Sequence, residues 1–340
     1  MGLFSKLFNN EEKANNRARF NEDYEKLKDL AGTILRYKFL SNFTAETFNK
    51  VWPLCDEFIT IANEIDKKEA VNRFKKEAKE DSASKVFSTH KVFETDYKGD
   101  GEEWERVIAK INSVKVKLER WNDGVTRFNE KYANVPDFAI TLNEPNIKRN
   151  KLIELPEIKF SSVSKSFNKD KLMTFVVVDT ETTGLKASSE RIIQLSAVKY
   201  VDWEPVGKWN TYINPMRDIP AEASTINGIT NEMVADAPTI KEVHDSFLAF
   251  VGESPVVGYN LPFDYKFLYM EGIDLTEQKR KYYDVMSIAK KKYKDDLYSY
   301  ALTDVANFNN IYFDAHNSLN DCFATAEVFE CLVDEITEGK

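Results

Sequence analysis

The sequence has few of the features that mark membrane-bound, secreted or disulfide-stabilised proteins. It contains only 3 cysteines among 340 residues, and Cys55, Cys322 and Cys331 form neither a disulfide framework nor a paired metal-ligand spacing. No apolar stretch approaches the roughly 20 residues that a membrane-spanning helix needs. The first residues also lack the apolar core and the small-residue cleavage site of a signal peptide. These absences predict a reduced, soluble, cytoplasmic protein with no membrane contact.

Positive charge is scarce in the second half of the chain. The formal net charge is -9, and residues 1–170 carry 31 basic against 29 acidic side chains, whereas residues 171–340 carry 16 against 27. A protein that binds nucleic acid through phosphate contacts alone is normally basic. The composition therefore argues against that class, unless the acidic residues bind metal ions and so reverse the local charge.

Proline is nearly absent from the first 135 residues, where only Pro53 occurs. Apolar residues there recur at helical steps of three and four. The two series are Phe20, Tyr24, Leu27, Ala31 and Ile34, and then Val107, Ile111, Val114, Leu118, Trp121, Val125 and Phe128. Two further helices are predicted over 45–66 and 69–80, and Asn122-Asp123-Gly124 allows an early end of the last helix. We predict that residues 1–131 form a helical bundle, although the same apolar seams could instead pair with another chain.

Prolines and small polar residues dominate residues 132–171, which we interpret as a linker between two domains. From residue 172 onward, predicted strands alternate with predicted helices. The apolar run over 175–178 has no alternation, as expected for a central strand covered on both faces. Further strands are predicted over 192–201, 209–213 and 255–259, and helices near 231–251 and over 262–270, 284–293, 299–308 and 319–336. Residues 172–340 are therefore predicted to be an α/β domain with a mixed central sheet.

Three segments of this second domain place ionisable residues at the ends of predicted elements. Asp179 and Glu181 end the apolar strand and share one of its faces. Two such carboxylates repel each other unless a cation neutralises them, and oxygen ligands suit Mg²⁺ or Mn²⁺. Asp264 lies in the first turn of a predicted helix, and His316 precedes Asp321 at the start of another. Taken singly, each has a simpler interpretation as a solvated strand end, a helix-start preference or a surface histidine. The other two histidines, His90 and His244, are interpreted as structural.

In this order and spacing, the three segments resemble the DEDDh exonucleases, the superfamily that includes the proofreading ε subunit of bacterial DNA polymerase III. The resemblance covers about residues 172–337. The first motif reads D-x-E-T-T-G, the second keeps Asn260, Phe263 and Asp264, with Tyr259 where many members have histidine, and the third keeps the H-x₄-D spacing. The resemblance implies an RNase H-like fold and a metal-dependent 3′→5′ exonuclease that releases nucleoside 5′-monophosphates. It also implies two Mg²⁺ or Mn²⁺ ions held by Asp179, Glu181, Asp264 and Asp321, with His316 as general base.

Contacts to the substrate are implied by the same resemblance. Residues 220–230 are similar to the family's H-G-I-T/S loop, with Asn227 in place of the usual histidine and Glu222 at the position of a substrate-contacting acid. The positions implied to bind substrate are Thr182, Gly184, Glu222, Asn227, Asn260 and Phe263. The basic residues between Lys279 and Lys294 could form a track for a single strand, or simply a solvated helix face.

The sequence leaves the substrate and the role of the first domain open. The leading hypothesis is an enzyme acting on DNA 3′ ends, most readily single-stranded ones, and the alternative within the family is an RNA 3′ exonuclease. A hypothesis of another class is a scaffold or partner-binding protein that works through its helical first domain, which could in either case bind a protein partner. Neither Gln194 nor Gln278 begins a Q-x-x-[L/M]-x-F clamp-binding pattern. This favours repair, recombination or nucleic-acid turnover over replicative proofreading.

Overall fold

The computed structural model describes residues 2–37, 43–80, 102–143, 145–150 and 155–339. The chain divides into two compact units, Met1–Asp123 and Gly124–Lys340. His90 lies outside the described residues, whereas His244 bonds to Asp245 at 2.7 Å and to the Gly272 carbonyl at 3.3 Å. Every helix in the described part of the chain is too short or too polar to span a bilayer.

The first unit is helical, as predicted. Its helices are α1 (Gly2–Ile34), α2 (Ala45–Glu64), α3 (Lys67–Glu80) and α4 (Glu102–Tyr132), the last of which continues into the second unit. Side chains of both predicted apolar series are buried, among them Tyr24, Ile34, Ile111 and Leu118. The first unit therefore has its own apolar core, because these seams pack inward rather than face solvent.

Helix α4 does not end at Asn122-Asp123-Gly124, so that expectation is wrong. A Cβ atom on Gly124 would lie only 2.5 Å from the side chain of Tyr312. The glycine is thus explained by close packing against this tyrosine rather than by helix termination. Farther along α4, the ring of Tyr132 stacks on Phe323 with centroids 4.1 Å apart. Through these contacts the end of α4 packs within the second unit, Gly124–Lys340.

A mixed five-stranded sheet forms the centre of the second unit, as predicted. Its strands are β1 (Thr174–Thr182), β2 (Ile192–Val201), β3 (Glu204–Tyr212), β4 (Val256–Gly258) and β5 (Tyr282–Asp284), in the order β3-β2-β1-β4-β5. The β1–β2 and β2–β3 pairs are antiparallel, and the β1–β4 and β4–β5 pairs are parallel. Only β5 was missing from the sequence prediction, because its residues, Tyr-Tyr-Asp, follow two basic residues and do not form the apolar run that marks β4.

Helices cover both faces of the sheet, so the apolar run in β1 is buried throughout. They are α5 (Ala221–Asn227), α6 (Asn231–Val234), α7 (Ile240–Val251), α8 (Leu261–Met270), α9 (Val285–Lys292), α10 (Leu302–Phe308) and α11 (Ser318–Glu338). Val177 packs in one cluster with Phe329 of α11. Val178 packs in another with Phe247 of α7 and Leu268 of α8. The alternating side chains of one strand thus join the two halves of the core.

The segment interpreted as a linker is part of the second unit, and its described residues pair with both edges of the sheet. The backbone N–H of Phe138 donates to the carbonyl of Lys208 in β3 at 2.7 Å. The backbone N–H of Ser161 donates to the carbonyl of Tyr282 in β5, also at 2.7 Å. Between these points, the N–H of Asn150 donates to the carbonyl of Met270 at 3.0 Å. Since edge strands present unpaired backbone groups, an extended segment that pairs with them also protects the sheet from other chains.

Candidate active site

Carboxylates from a strand and a helix converge at the carboxyl end of β1. Asp179 and Glu181 extend from the same face of β1, and Asp321 lies in the first turn of α11. One carboxylate oxygen from each of the three lies within 4.8 Å of the others. Residues of the first and third motifs, far apart in the sequence, thus form one acidic cluster.

Asp264 is tied to the same strand end from the other side. Its Oδ1 accepts hydrogen bonds from the Thr180 backbone N–H at 3.0 Å and from the Thr180 hydroxyl at 2.7 Å. Thr180 lies between the two acidic residues of β1, so these bonds fix the start of α8 beside the acidic cluster. Asp264 is buried, and its position in the first turn of α8 is one where a carboxylate is favoured.

The environment raises the pKa of all four acidic side chains. Burial raises the pKa of Asp179 and Asp321 well above the ordinary value, and the neighbouring carboxylates raise it further. Burial also raises the pKa of Glu181 to about 7, against the opposing effect of the Asn227 side chain. It raises that of Asp264 to about 7, against its bonds to Thr180. Ionising the cluster is therefore costly until a cation compensates the charge.

The donor set fits a hard divalent cation. The cluster supplies carboxylate oxygens, the ligands that Mg²⁺ and Mn²⁺ prefer. The buried Oδ1 of Asp321 accepts no hydrogen bond from any described residue. A buried acceptor without a donor is unfavourable, and a bound cation would satisfy it.

His316 lies on the loop that leads into α11. Its φ of 65° places it in the left-handed region, and its backbone N–H stabilises the carboxylate of Asp321. The imidazole is exposed, yet the surrounding protein displaces enough water to lower its pKa, an effect that Asp314 opposes. The next residue, Asn317, caps α11 by accepting the N–H of Leu319 at 3.2 Å. The loop is thus held at the cluster through its backbone, and the lowered pKa of His316 favours the neutral imidazole.

Three of the predicted substrate residues gather around Glu181. The hydroxyl of Thr182 donates to the carbonyl of Gly184 at 2.8 Å, and the Asn227 amide donates to the carbonyl of Thr182 at 3.5 Å. Asn227 also lies within hydrogen-bonding reach of the Glu181 side chain. The asparagine that replaces the family's histidine is therefore in contact with the acidic site.

The other three predicted substrate residues lie on neighbouring elements. Asn260 is exposed with a φ of 59° and precedes α8, the helix that carries Asp264. Phe263 is half-buried, with its ring centroid 4.9 Å from that of Phe267. Glu222 is exposed in the first turn of α5. Their positions leave these side chains accessible to a bound molecule.

A closed ring of four hydrogen bonds, which the sequence prediction missed, connects β2 and β3 to α11. The Gln194 amide and the Ser196 hydroxyl donate to Oδ1 of Asn210 at 3.1 and 2.8 Å. The Ser318 backbone N–H donates to Oε1 of Gln194 at 3.2 Å. Since Ser196 gives its only hydroxyl hydrogen to Asn210, the Ser318 hydroxyl donates to Ser196 at 2.6 Å.

This ring lies directly beside the acidic cluster, on the same face of the sheet. Gln194 and Ser196 stand opposite Glu181 and Asp179 in the β1–β2 register. Ser318 is the first residue of α11, one turn before Asp321. The ring therefore links the strand that pairs with the acids of β1 to the helix that carries Asp321, through two buried and two part-buried bonds, and a closed network of this kind helps to fix a single geometry.

A second missed feature supports the loop that follows the first motif. Arg149, in the segment interpreted as a linker, donates to the carbonyls of Ala187 at 2.9 Å and Glu190 at 2.8 Å. Its Nε lies 3.2 Å from the buried carboxylate of Glu271. Glu190 in turn accepts the hydroxyl of Thr183 at 2.7 Å. The arginine thus braces the connection between β1 and β2.

Comparison with known proteins identifies relatives among exonucleases and DNA polymerase III subunits. The profile of the RNase T exonuclease family matches residues 176–329. The DNA polymerase III subunit epsilon of Rickettsia prowazekii (strain Madrid E) is 34% identical over 166 residues, which cover 46% of this chain and 72% of the relative. That of Aquifex aeolicus (strain VF5) is 33% identical over 166 residues, 48% of this chain and 82% of the relative.

Other matches cover a smaller share of the matched protein or have a lower sequence identity. A PolC-type DNA polymerase III of Thermotoga petrophila is 37% identical over 235 residues, which are 65% of this chain but only 17% of the relative. Among solved structures, exonuclease X in complex with 5′-overhanging duplex DNA has a TM-score of 0.39 at 24% identity, over 49% of this chain and 93% of that one. An exonuclease I structure has a TM-score of 0.42 at 22% identity, and the match covers 49% of this chain and 42% of that one. With the profile match spanning every acidic residue of the cluster, and with identity above 30% across most of two epsilon subunits, the chain belongs to the RNase T exonuclease family.

Proposed function

We propose that this protein is a 3′→5′ exonuclease that hydrolyses phosphodiester bonds at DNA 3′ ends and releases nucleoside 5′-monophosphates. The observation that carries the proposal is the convergence of Asp179, Glu181 and Asp321 within 4.8 Å, in a chain of an exonuclease family. The relatives named as DNA polymerase III subunits favour DNA over RNA as the substrate.

In this proposal, Asp179, Glu181, Asp264 and Asp321 would hold two Mg²⁺ or Mn²⁺ ions. Such ions lower the pKa of a bound water and neutralise the charge that develops on the phosphate. His316 accepts the proton of the attacking water, because its backbone is bonded to Asp321, its side chain is exposed, and its lowered pKa favours the unprotonated imidazole.

The residues around the cluster bind and orient the terminal nucleotide. Thr182, Gly184 and Asn227 contact it beside Glu181, with the side chain of Asn227 supplying an amide where a histidine is usual. Asn260 and Phe263 contact it from the start of α8, and Glu222 contacts it from α5. These roles are supported by the exposure of Glu222 and Asn260, by the partial exposure of the other four, and by the bond from Asn227 to Thr182.

The first domain, taken as residues 1–131, is proposed to bind a protein partner. It has a core of its own and carries none of the proposed site residues. Residues 132–171 then connect it to the exonuclease domain, residues 172–340. A cytoplasmic location is proposed as well, since all 3 cysteines are free and the relatives are named as DNA polymerase subunits.

The proposal is tested with matched 5′-labelled single strands of DNA and RNA, the purified full chain and Mn²⁺. We expect a ladder of products that shorten from the 3′ end, and we expect EDTA and the Asp179→Asn variant to abolish it. Asp236→Asn, at an exposed acid outside the cluster, serves as the matched control and retains activity. Faster shortening of RNA would move the substrate to RNA, and an absence of metal-dependent shortening of either strand would refute the proposed activity.

A further inference from the structure

Two basic segments that are distant in the sequence lie side by side at the β5 edge of the sheet. The backbone N–H of Ser161 donates to Tyr282 at 2.7 Å, next to a parallel bridge between Phe160 and Tyr282. The two segments, residues 157–171 and 279–294, contain 11 basic and 3 acidic side chains. The other residues from 172 to 340 contain 8 basic and 26 acidic side chains. The edge pairing therefore creates a local reversal of charge in an acidic domain.

Two adjoining grooves lie along this edge, and we call them the lysine grooves. The larger, of about 580 Å³, is lined by Lys165 and by Lys291 of α9, together with serines of residues 161–164. The smaller, of about 240 Å³, is lined by Lys171 and Lys281. Ser161 and Ser162 line both grooves, so the two form one continuous basic surface with hydroxyl groups between the lysines.

Most of the positive charge in the lysine grooves is not neutralised by the protein. Lys165, Lys171, Lys281 and Lys291 are exposed, and none of them forms an ion pair with any residue that the structure describes. The neighbouring Lys292 differs, because its Nζ lies 3.4 Å from the Glu335 carboxylate. Clustered positive charges without partners create a positive surface potential, so a surface of this kind attracts a polyanion.

The larger groove extends toward the acidic site. One of its walls is Asp284, whose carboxylate accepts the N–H of Leu261 at 3.2 Å, at the start of the helix that carries Asp264. Its other end is lined by Glu335, which lies about 21 Å from Asp321 at the helical rise along α11. About six stacked nucleotides of a single strand span that distance.

We propose that the lysine grooves bind the phosphate backbone of a nucleic-acid single strand upstream of the 3′ end that is cleaved. This inference rests on the proposed exonuclease function, and it adds a contact surface outside the acidic cluster. Lysine ammonium groups and serine hydroxyls donate to phosphate oxygens without reading the bases. The grooves therefore hold long strands of any sequence, whereas very short strands reach only the acidic cluster.

The test compares two double variants of equal charge change, made in the Asp179→Asn full chain so that the strand is not degraded. Lys165→Glu with Lys291→Glu changes the grooves, and Lys148→Glu with Lys241→Glu is the control, at exposed lysines outside them. For an oligothymidylate of about twenty nucleotides, we expect the groove variant to lose at least about tenfold in affinity. Its slope of log K against log salt should fall by about 1.4, for two phosphate contacts. The affinity of the control variant for the long strand should change by less than about twofold. The affinity of the groove variant for a tetranucleotide should also change by less than about twofold.

Equal affinities of the groove and control variants for the long strand, in proteins with unchanged melting temperatures, would overturn the inference. Loss of binding to phosphatidylserine vesicles, with binding of the long strand unchanged, would overturn it in favour of a membrane surface. The proposed function is judged separately, from the activity of the chain with Asp179 intact. If that chain shortens strands while groove and control variants bind alike, only the inference fails. If it neither binds nor shortens any strand, both fail.

Discussion

At the residue scale, the acidic cluster opposes folding when no cation is bound. The pKa of Glu181 and of Asp264 is raised to about 7, so the folded protein holds more protons than the unfolded chain between the ordinary carboxyl pKa and about pH 7. Excess protons on the folded state make the free energy of unfolding fall as the pH rises through this window. For each excess proton, the free energy of unfolding falls by about 1.4 kcal/mol per pH unit.

The consequence is a stabilising substitution in the site itself. Glu181→Gln removes one of the repelling charges, so in EDTA at about pH 8 its melting temperature should exceed that of the unchanged protein. The rise in melting temperature that Mn²⁺ gives the unchanged protein should shrink in the variant, because a ligand is lost. Differential scanning calorimetry measures both effects, with Asp236→Asn as the reference. A lower melting temperature for Glu181→Gln in EDTA would contradict this account of the cluster.

His316 is expected to act on the rate rather than on metal binding. Replacing it by Gln should lower kcat by about 10² to 10⁴, the usual contribution of a general base. The Mn²⁺-induced rise in melting temperature should remain, since the imidazole is not among the proposed ligands. Because its pKa is lowered from the ordinary value, the unchanged enzyme should keep its rate down to slightly acidic pH. Full activity of the variant would remove His316 from the mechanism.

At the scale of elements, the sequence predicted the elements of the site but not what holds them together. The apolar run of β1 and the helix-start pattern of α8 were visible because periodicity and capping are local signals. Gln194 and Ser196 looked only like polar interruptions of a strand. Their partner Ser318 lies more than a hundred residues away, so no local pattern reveals the bond.

Substitutions at two buried serines can distinguish a residue that positions the site from one that only stabilises the fold. Ser318→Ala breaks the ring of hydrogen bonds beside the cluster, and Ser246→Ala breaks a comparable bond, the one that Ser246 accepts from Trp209 at 3.0 Å. Each should destabilise the fold by about 1–2 kcal/mol. Only Ser318→Ala should also lower kcat, by about tenfold, because α11 and its Asp321 are no longer fixed against β2.

Rescue provides the decisive measurement for this pair. Ser318→Thr keeps the hydroxyl and should recover most of the kcat that the alanine variant loses, with the KM for a short strand unchanged throughout. Steady-state kinetics on a tetranucleotide and thermal melts in the same buffer give both readouts. If Ser246→Ala lowers kcat as much as Ser318→Ala, the effect belongs to general stability and not to the ring.

At the scale of the whole molecule, composition does not reveal which parts of the chain residues 132–171 contact. Prolines and small polar residues in residues 132–171 indicated a linker between two domains. Its pairing with the edges of the sheet uses backbone groups, which any residue type supplies, so the sequence carries no sign of it. The bracing by Arg149 was hidden for the same reason, since its main acceptors are carbonyl groups.

Truncation should reveal how much of the chain the catalytic unit needs. A fragment of residues 124–340 keeps the end of α4, the segment along both sheet edges and Arg149, so it should melt cooperatively and retain the kcat of the full chain on a tetranucleotide. A fragment of residues 172–340 loses the backbone partners of Lys208 and Tyr282 and exposes both edges, so it should aggregate or melt at a markedly lower temperature. Calorimetry, light scattering and the tetranucleotide assay compare the two fragments. If the shorter fragment is as stable and active as the longer one, the segment before residue 172 is a connector after all, as its composition first indicated.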